Sequence, residues 1–390
     1  MQPNDPLLEL RRALHRIPEL GFVEHKTSTL LWERAQKNLG PPSRIGDTTG
    51  FFVDLGDPEA SRTLLLRADM DGLPVQEETG LPFASEHEGR MHACGHDAHM
   101  AALTHACEVM THGLGLPEDL RLRVLYQPAE EGSGGALRCM AEGVLDGVDH
   151  AFGLHVWNEL PVGTVAVTAG GIMAGVTDFR IRVVGRGGHG GLPHQAVDPI
   201  VASAHLITAL QTVASRRSSP FEPVVVSVGA IHAGDAFNVI PERVDLAGTA
   251  RTFSVTMDEE VEQDVRAIAA GIAAATGTTI EIDWTRECIA TVNAHAFSQL
   301  VRDAAIRAGF STVLTDYRTT AGEDFGYILN PAGGGVEGAY VLVGSGNPEK
   351  GCDEPHHSPR FKIDEDVLPL AAALHQEVVR SYAESFCEDG

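Results

Sequence analysis

Residues 92–99, His-Ala-Cys-Gly-His-Asp-Ala-His, place three histidines, a cysteine and an aspartate within eight positions. Cys94 and His96 flank a single glycine, so one tight turn can aim both at a common point. Thiolate and imidazole are good ligands for zinc and its neighbours. The competing reading is a buried cysteine in a helix-capping loop with incidental histidines. No second Cys/His pair lies at zinc-finger spacing. Glu130 and Glu131 follow the apolar run LRLRVLYQ (120–127). Adjacent loop carboxylates can point different ways, one toward a metal and one acting as a base; the alternative is a solvated acidic turn. Asp69 and Asp71 follow TLLLRA (63–68) and read as ligands, as groups that orient ligands, or as a turn. His155 closes the run AFGLH, and His356 and His357 stand together in DEPHHSPRF.

A second cluster is GRGGHGGLPHQAVDP (185–199), with His189 among glycines and His194, Asp198 and Pro199 after it. Asn238 in NVIPE and Arg251 in GTART sit at predicted strand ends. Singly these are loop, turn and surface charge. Together they supply an imidazole, an amide and a guanidinium suited to an oxyanion and a carboxylate.

The elements that must position these residues alternate between helix and strand. Apolar spacing predicts helices over 5–16 and 24–39, strands over 51–55, 63–68, 120–127 and 150–156, and a helix near 134–142. Another helix is expected after CGHD, with Asp97 as its N-cap. Such alternation predicts an α/β sheet, whose ligands gather beyond the carboxyl ends of strands. After TAGGIMAG the pattern changes: strand 176–185, helix 196–216, strands 223–232 and 244–253, helix 258–275 and strand 278–284. This β-α-β-β-α-β order resembles the ferredoxin-like motif and predicts an inserted domain over 172–290. The α/β pattern of 1–171 then resumes over 291–390 and closes with an amphipathic helix from Asp364.

At 390 residues, two domains are expected. The formal net charge of −25 argues against nucleic acid and anionic membrane as partners. The six cysteines, Cys94, Cys107, Cys139, Cys288, Cys352 and Cys387, form no disulfide framework and suit a reducing cytoplasm. The N-terminus has neither the basic nor the apolar region of a signal peptide, and no run reaches membrane-spanning length. An oxidoreductase is disfavoured because GRGGHGG lacks the acidic residue and the βαβ context of a dinucleotide fingerprint.

RADMDGLP, HACGHDAHMA, YQPAEEG, GLHV, GRGGHGGLPHQAVDPI, NVIPE, GTART, GEDFGY and HHSPRF occur in this order along the chain. In this the sequence resembles the metal-dependent amidohydrolases that include bacterial aminoacylases, hippurate hydrolases and plant auxin-conjugate hydrolases. They are a branch of the aminoacylase/carboxypeptidase family of dinuclear metallopeptidases. The resemblance implies a zinc-peptidase-like α/β catalytic domain with an inserted ferredoxin-like α+β lid or dimerisation domain. It implies Cys94, His96, Glu131, His155 and His357 as ligands of two divalent ions, zinc or manganese, with cobalt or nickel also accepted. His357 is preferred to His356 because it directly precedes Ser-Pro. The same resemblance makes Glu130 the general base and His189 the oxyanion partner. Asn238, Arg251 and His194 become substrate-binding residues, and Asp71, Asp69 and Asp97 orient ligands from behind. The implied reaction is hydrolysis of small N-acyl amino acids by a homodimer or higher homo-oligomer. A dipeptidase or carboxypeptidase of the same family is the alternative. A non-catalytic metal- or ligand-binding relative should have lost Glu130 or a ligand, and the full set is present.

Overall fold

The computed structural model describes residues 5–132 and 134–385; Cys387 lies outside them. The chain divides into two compact units, one of Met1–Ile172, Val292–Arg318 and Asp324–Gly390, the other of Met173–Thr291 and Thr319–Glu323.

The first unit is α/β. Thr63 to Asp69 are all buried, without alternation, which marks a strand covered on both faces. Strand Arg62–Asp69 accordingly runs inside an eight-stranded mixed sheet, parallel to Leu120–Gln127 on one side and to His150–Pro161 on the other. Glu337–Gly346 extends the parallel core beyond His150–Pro161. Phe51–Gly56, half-exposed in alternation, pairs antiparallel to Leu120–Gln127. Helices Pro6–His15, His25–Asn38, His96–Val109, His295–Arg307 and Val367–Ser385 bury apolar faces in the same core, among them Leu14, Leu31, Leu103, Val301 and Val378. His155 does not end its strand. The strand continues to Pro161, and what stops near that level is the pairing with Arg62–Asp69, whose last registered pair is Arg67 with Gly153.

The second unit is α+β. Gly175–Val184, Val225–Ala233, Arg243–Thr252 and Thr279–Cys288 form a wholly antiparallel sheet, in which Arg243–Thr252 and Gly175–Val184 are central. Helices Pro199–Thr212 and Val255–Thr276 supply Leu206, Leu210, Val261 and Val265 to a core with Phe179, Ile181 and Val183. With the helices after the first and third strands, this is the ferredoxin-like arrangement. The first helix starts at Pro199 rather than 196, because the Asp198 carboxylate caps the N–H groups of Ile200 and Val201. The second starts at Val255 rather than 258, because Ser254 Oγ accepts from Met257 N. Among the described residues no helix is long and apolar enough to cross a membrane.

Candidate metal centre

Cys94 and His96 are aimed by Gly95. This residue has φ +95°, and a Cβ on it would stand 2.4 Å from Val156 Cγ2, so both conformation and space require glycine. Gly95 is also the N-cap of helix His96–Val109. Asp97, expected at that position, instead lies in the first turn, because the non-helical cap conformation falls on the glycine. Its buried carboxylate forms an ion pair with Arg11 Nε and a hydrogen bond with His15 Nδ1, both at 2.8 Å. Burial alone would raise its pKa; Arg11 and His15 hold it well below the usual range instead.

The imidazoles are oriented by their rear nitrogens. His96 Nδ1 donates to the Asp71 carbonyl at 2.8 Å. Its Nε2 is buried with no hydrogen-bond partner, 3.6 Å from Asp69 Oδ2 and 3.8 Å from Glu130 Oε2. His155 Nδ1 donates to the Val156 carbonyl at 2.6 Å, leaving Nε2 at 3.3 Å from Cys94 Sγ. Backbone carbonyls thus fix one tautomer for each ring and turn Nε2 forward. His357 has a left-handed φ of 67° and is held by its N–H on the Ala93 carbonyl at 2.9 Å. Its Nε2 is 3.3 Å from Glu131 Oε1, another buried atom without a hydrogen-bond partner. His356 is committed elsewhere: its Nε2 bonds the Val156 carbonyl at 2.9 Å and its ring stacks on Trp157.

Donor atoms of Cys94, His96 and His155 lie within 4.8 Å of one another, as do those of Cys94, Glu131 and His357, and those of His96, Glu130 and Glu131. Two of these triplets share Cys94. A further group, Asp69, His96 and His99, is equally tight. Its His99 is spent, however, giving Nδ1–H to Asp69 at 2.7 Å and receiving the Val156 N–H on Nε2 at 2.9 Å.

The cluster is rich in carboxylates. Burial favours neutral His96, yet Asp69, Asp71 and Glu131 lift its pKa to about 10. Burial and the charges of Glu131, Glu130 and Asp69 push the Cys94 thiol far up. Burial and the neighbouring His99 and His356 keep His155 neutral. Carboxylates, a thiol and imidazoles, with His96 Nε2 and Glu131 Oε1 buried without a hydrogen-bond partner, suit divalent cations, which would take the place of the proton that the carboxylates draw to His96.

The loop carrying Glu130 and Glu131 is pinned at several peptide groups. Glu131 N–H donates to Asp71 Oδ2 at 2.9 Å, Gly132 N–H to the Glu130 carbonyl at 2.7 Å, and Gly135 N–H to the Ala129 carbonyl at 3.0 Å. Behind it, Arg67 Nη1 donates to Asp69 Oδ2 at 2.7 Å and Arg67 Nη2 to Asp324 Oδ1 at 3.0 Å. Asp324 also accepts from Gln127 and from Ala136 N. Sequence reasoning missed His99, Arg67 and Asp324. The i, i+3 spacing of His96 and His99 on one helix was the available signal for the first.

The remaining predicted residues belong to the second unit. His189, exposed, sits in the strand pair Gly188–His189 with Val239–Ile240, and its Nδ1 accepts the Gly191 N–H at 2.9 Å. The Gly190 N–H donates to the Asn238 carbonyl at 2.8 Å, which brings the backbones of the two motifs together. His194 lies in the exposed turn Pro193–Gln195. Arg251, half-buried on Arg243–Thr252, donates Nε to the Thr320 carbonyl at 3.2 Å and Nη1 to Thr249 Oγ1.

The sequence pattern of Peptidase family M20/M25/M40 matches residues 65–381. The chain is 37% identical over 380 residues to N-acetyl-L-cysteine deacetylase of Bacillus subtilis, covering 97% of this chain and 88% of that one. It is 35% identical to thermostable carboxypeptidase 1 of Saccharolobus solfataricus, covering 95% and 94%. Among solved structures, the Bacillus subtilis YXEP protein, described as a dinuclear metal binding peptidase, matches with TM-score 0.84 and 32% identity over 97% of this chain and 98% of that one. A family pattern spanning most of the chain, and relatives alike over nearly their whole length, make this chain a hydrolase of Peptidase family M20/M25/M40.

Proposed function

We propose that the protein cleaves the amide bond of small N-acyl amino acids, releasing a carboxylic acid and a free amino acid. Cys94, His96, Glu131, His155 and His357 would hold two divalent ions, zinc or manganese first, with cobalt or nickel as alternatives. Such ions polarise a carbonyl and lower the pKa of water. Glu130 acts as the base that takes the proton of the attacking water and returns it to the leaving amine. Asp71 and Asp69 keep the imidazoles and the loop in place, while Asp97, expected to orient ligands, instead pairs with Arg11 and His15 in the first turn of the helix that carries His96. His189 steadies the oxyanion, Arg251 receives the substrate carboxylate, and Asn238 and His194 line the substrate. The observation that carries this reading is the Glu130 carboxylate, 3.8 Å from the unpartnered Nε2 of His96. Glu130→Gln keeps its metal and loses turnover by about 10²–10⁴-fold; near-normal turnover refutes the assignment.

The carboxypeptidase relative favours a second reading, in which the acyl side is itself an amino acid. N-acetyl and N-benzoyl amino acids compared with dipeptides, on metal-free enzyme reloaded with each ion, separate the two. The protein in this reading works as a homodimer in the cytoplasm. Exposed Phe237, Val239, Ile231, Ile200 and Val201, all in the second unit, supply an apolar surface for self-association. Sedimentation of the whole chain, with Phe237→Lys as control, tests it.

A further inference from the structure

Glu24 is fully buried at the N-cap of helix His25–Asn38, yet its side chain makes no capping bond. That duty falls to Glu19, whose Oε2 accepts from Lys26 N at 2.8 Å and Thr27 N at 3.0 Å. Glu24 Oε1 instead accepts the N–H of Ala129, 105 residues away, at 2.8 Å. Thr49 Oγ1 donates to Glu24 Oε2 and fixes the carboxyl group from the other side. Ala129 is buried and holds a φ of 54°, a conformation that costs a residue with a Cβ and persists only where the surroundings impose it. This left-handed residue directly precedes Glu130. The Ala129 carbonyl is pinned by Gly135 N–H at 3.0 Å, so the Glu24 bond completes the hold on both sides of the strained residue.

We infer that Glu24 is a positioning residue for the reaction: by holding Ala129 N–H it sets the left-handed turn that aims Glu130. This rests on the reading of Glu130 as base. It gives the segment around Glu24 a role in catalysis with no contact to substrate.

The test uses the full-length, metal-loaded enzyme and an N-acetyl amino acid that it hydrolyses. Glu24→Ala lowers kcat by about 10- to 100-fold, the cost of orphaning a buried N–H, with KM within about twofold. Glu24→Gln, whose carbonyl oxygen can accept the same bond, stays within about threefold of the parent. In the Glu24→Ala/Ala129→Gly double variant much of kcat returns, since glycine takes this conformation without being held. A purely structural role predicts no such rescue. Hydrogen exchange supplies a readout apart from activity: the Ala129 amide, slow in the parent, becomes fast in Glu24→Ala and stays slow in Glu24→Gln. Should Glu24→Ala fail to fold, Glu24→Asp withdraws the same oxygen by one methylene and lowers kcat several-fold. Full kcat in Glu24→Ala or Glu24→Asp, or no rescue by Ala129→Gly, overturns the inference. If that happens while Glu130→Gln is crippled, the base assignment survives alone; if Glu130→Gln is itself active, both fall.

Discussion

Gly95→Ala tests whether the Cys94–His96 turn is built by steric necessity. A left-handed φ costs a residue with a Cβ about 1–2 kcal/mol. The added methyl would also lie 2.4 Å from Val156 Cγ2 and 3.7 Å from Phe361 Cζ. Val156 cannot easily retreat: its N–H donates to His99 Nε2 at 2.9 Å, and its carbonyl accepts from both His155 and His356. Overpacking of this kind adds about 1–3 kcal/mol, for a total of about 2–5 kcal/mol. In a unit of this size that lowers the melting transition by roughly 5–15 °C. The displaced turn also separates Cys94 from His155, so metal content should fall together with stability. Calorimetry of the metal-free protein and elemental analysis after dialysis give the two numbers. A Tm within about 2 °C of the parent, with full metal retention, would refute the reasoning.

The two adjacent histidines should behave differently. His357→Ala loses metal and activity with little change in the metal-free Tm; His356→Ala removes a buried bond to Val156 and costs stability of about 1–3 kcal/mol while metal still binds. Equal metal loss in both variants would contradict the assignment. Glu24 governs a pH effect. Burial raises its pKa to about 7 from an ordinary 4.5, so the folded state resists its ionisation. Stability of the metal-free protein therefore falls as pH rises between about 4.5 and 7, by up to about 3 kcal/mol, and levels off above. Glu24→Gln should flatten that decline in urea titrations at pH 5 and 8; an identical decline in the variant would count against it. Arg67→Met strands the buried carboxylates Asp69 and Asp324 and should cost about 3–5 kcal/mol. Denaturant midpoints close to those of the parent would show that the network is dispensable.

Much of the site was legible because its donors are local. Cys94 and His96 are separated by one glycine at the start of a helix, and Glu130 and Glu131 are adjacent, just past a run apolar enough to be a central strand. The ferredoxin-like unit was legible because its strands alternate and its helices do not. What escaped the sequence depends on partners far along the chain. Asp97 resembles an N-cap by position, and only its contacts with Arg11 and His15 reveal a different use. The choice between His356 and His357 rested on a neighbouring Ser-Pro, whereas the physical difference is that Val156 and Trp157 already occupy His356. The carboxylate of Glu24 is an ordinary surface residue by composition, and its bond to Ala129 spans 105 positions. In GEDFGY, a Cβ on Gly322 would meet Val176 Cγ2 at 2.5 Å and Cys288 Sγ at 2.8 Å, so close packing with distant residues demands glycine there.

The order of strands in the large sheet bears on how the chain acquires its shape during synthesis. Glu337–Gly346 lies between His150–Pro161 and Thr164–Ala166, so strands made early wait for a neighbour made almost last. Met173–Thr291, by contrast, is continuous but for the returning Thr319–Glu323. On the ribosome that intervening stretch can fold while the flanking sheet still has an open edge. The half-built sheet is then the species most exposed to aggregation, and chaperone dependence should track the emergence of residues 337–385 rather than the completion of the insert.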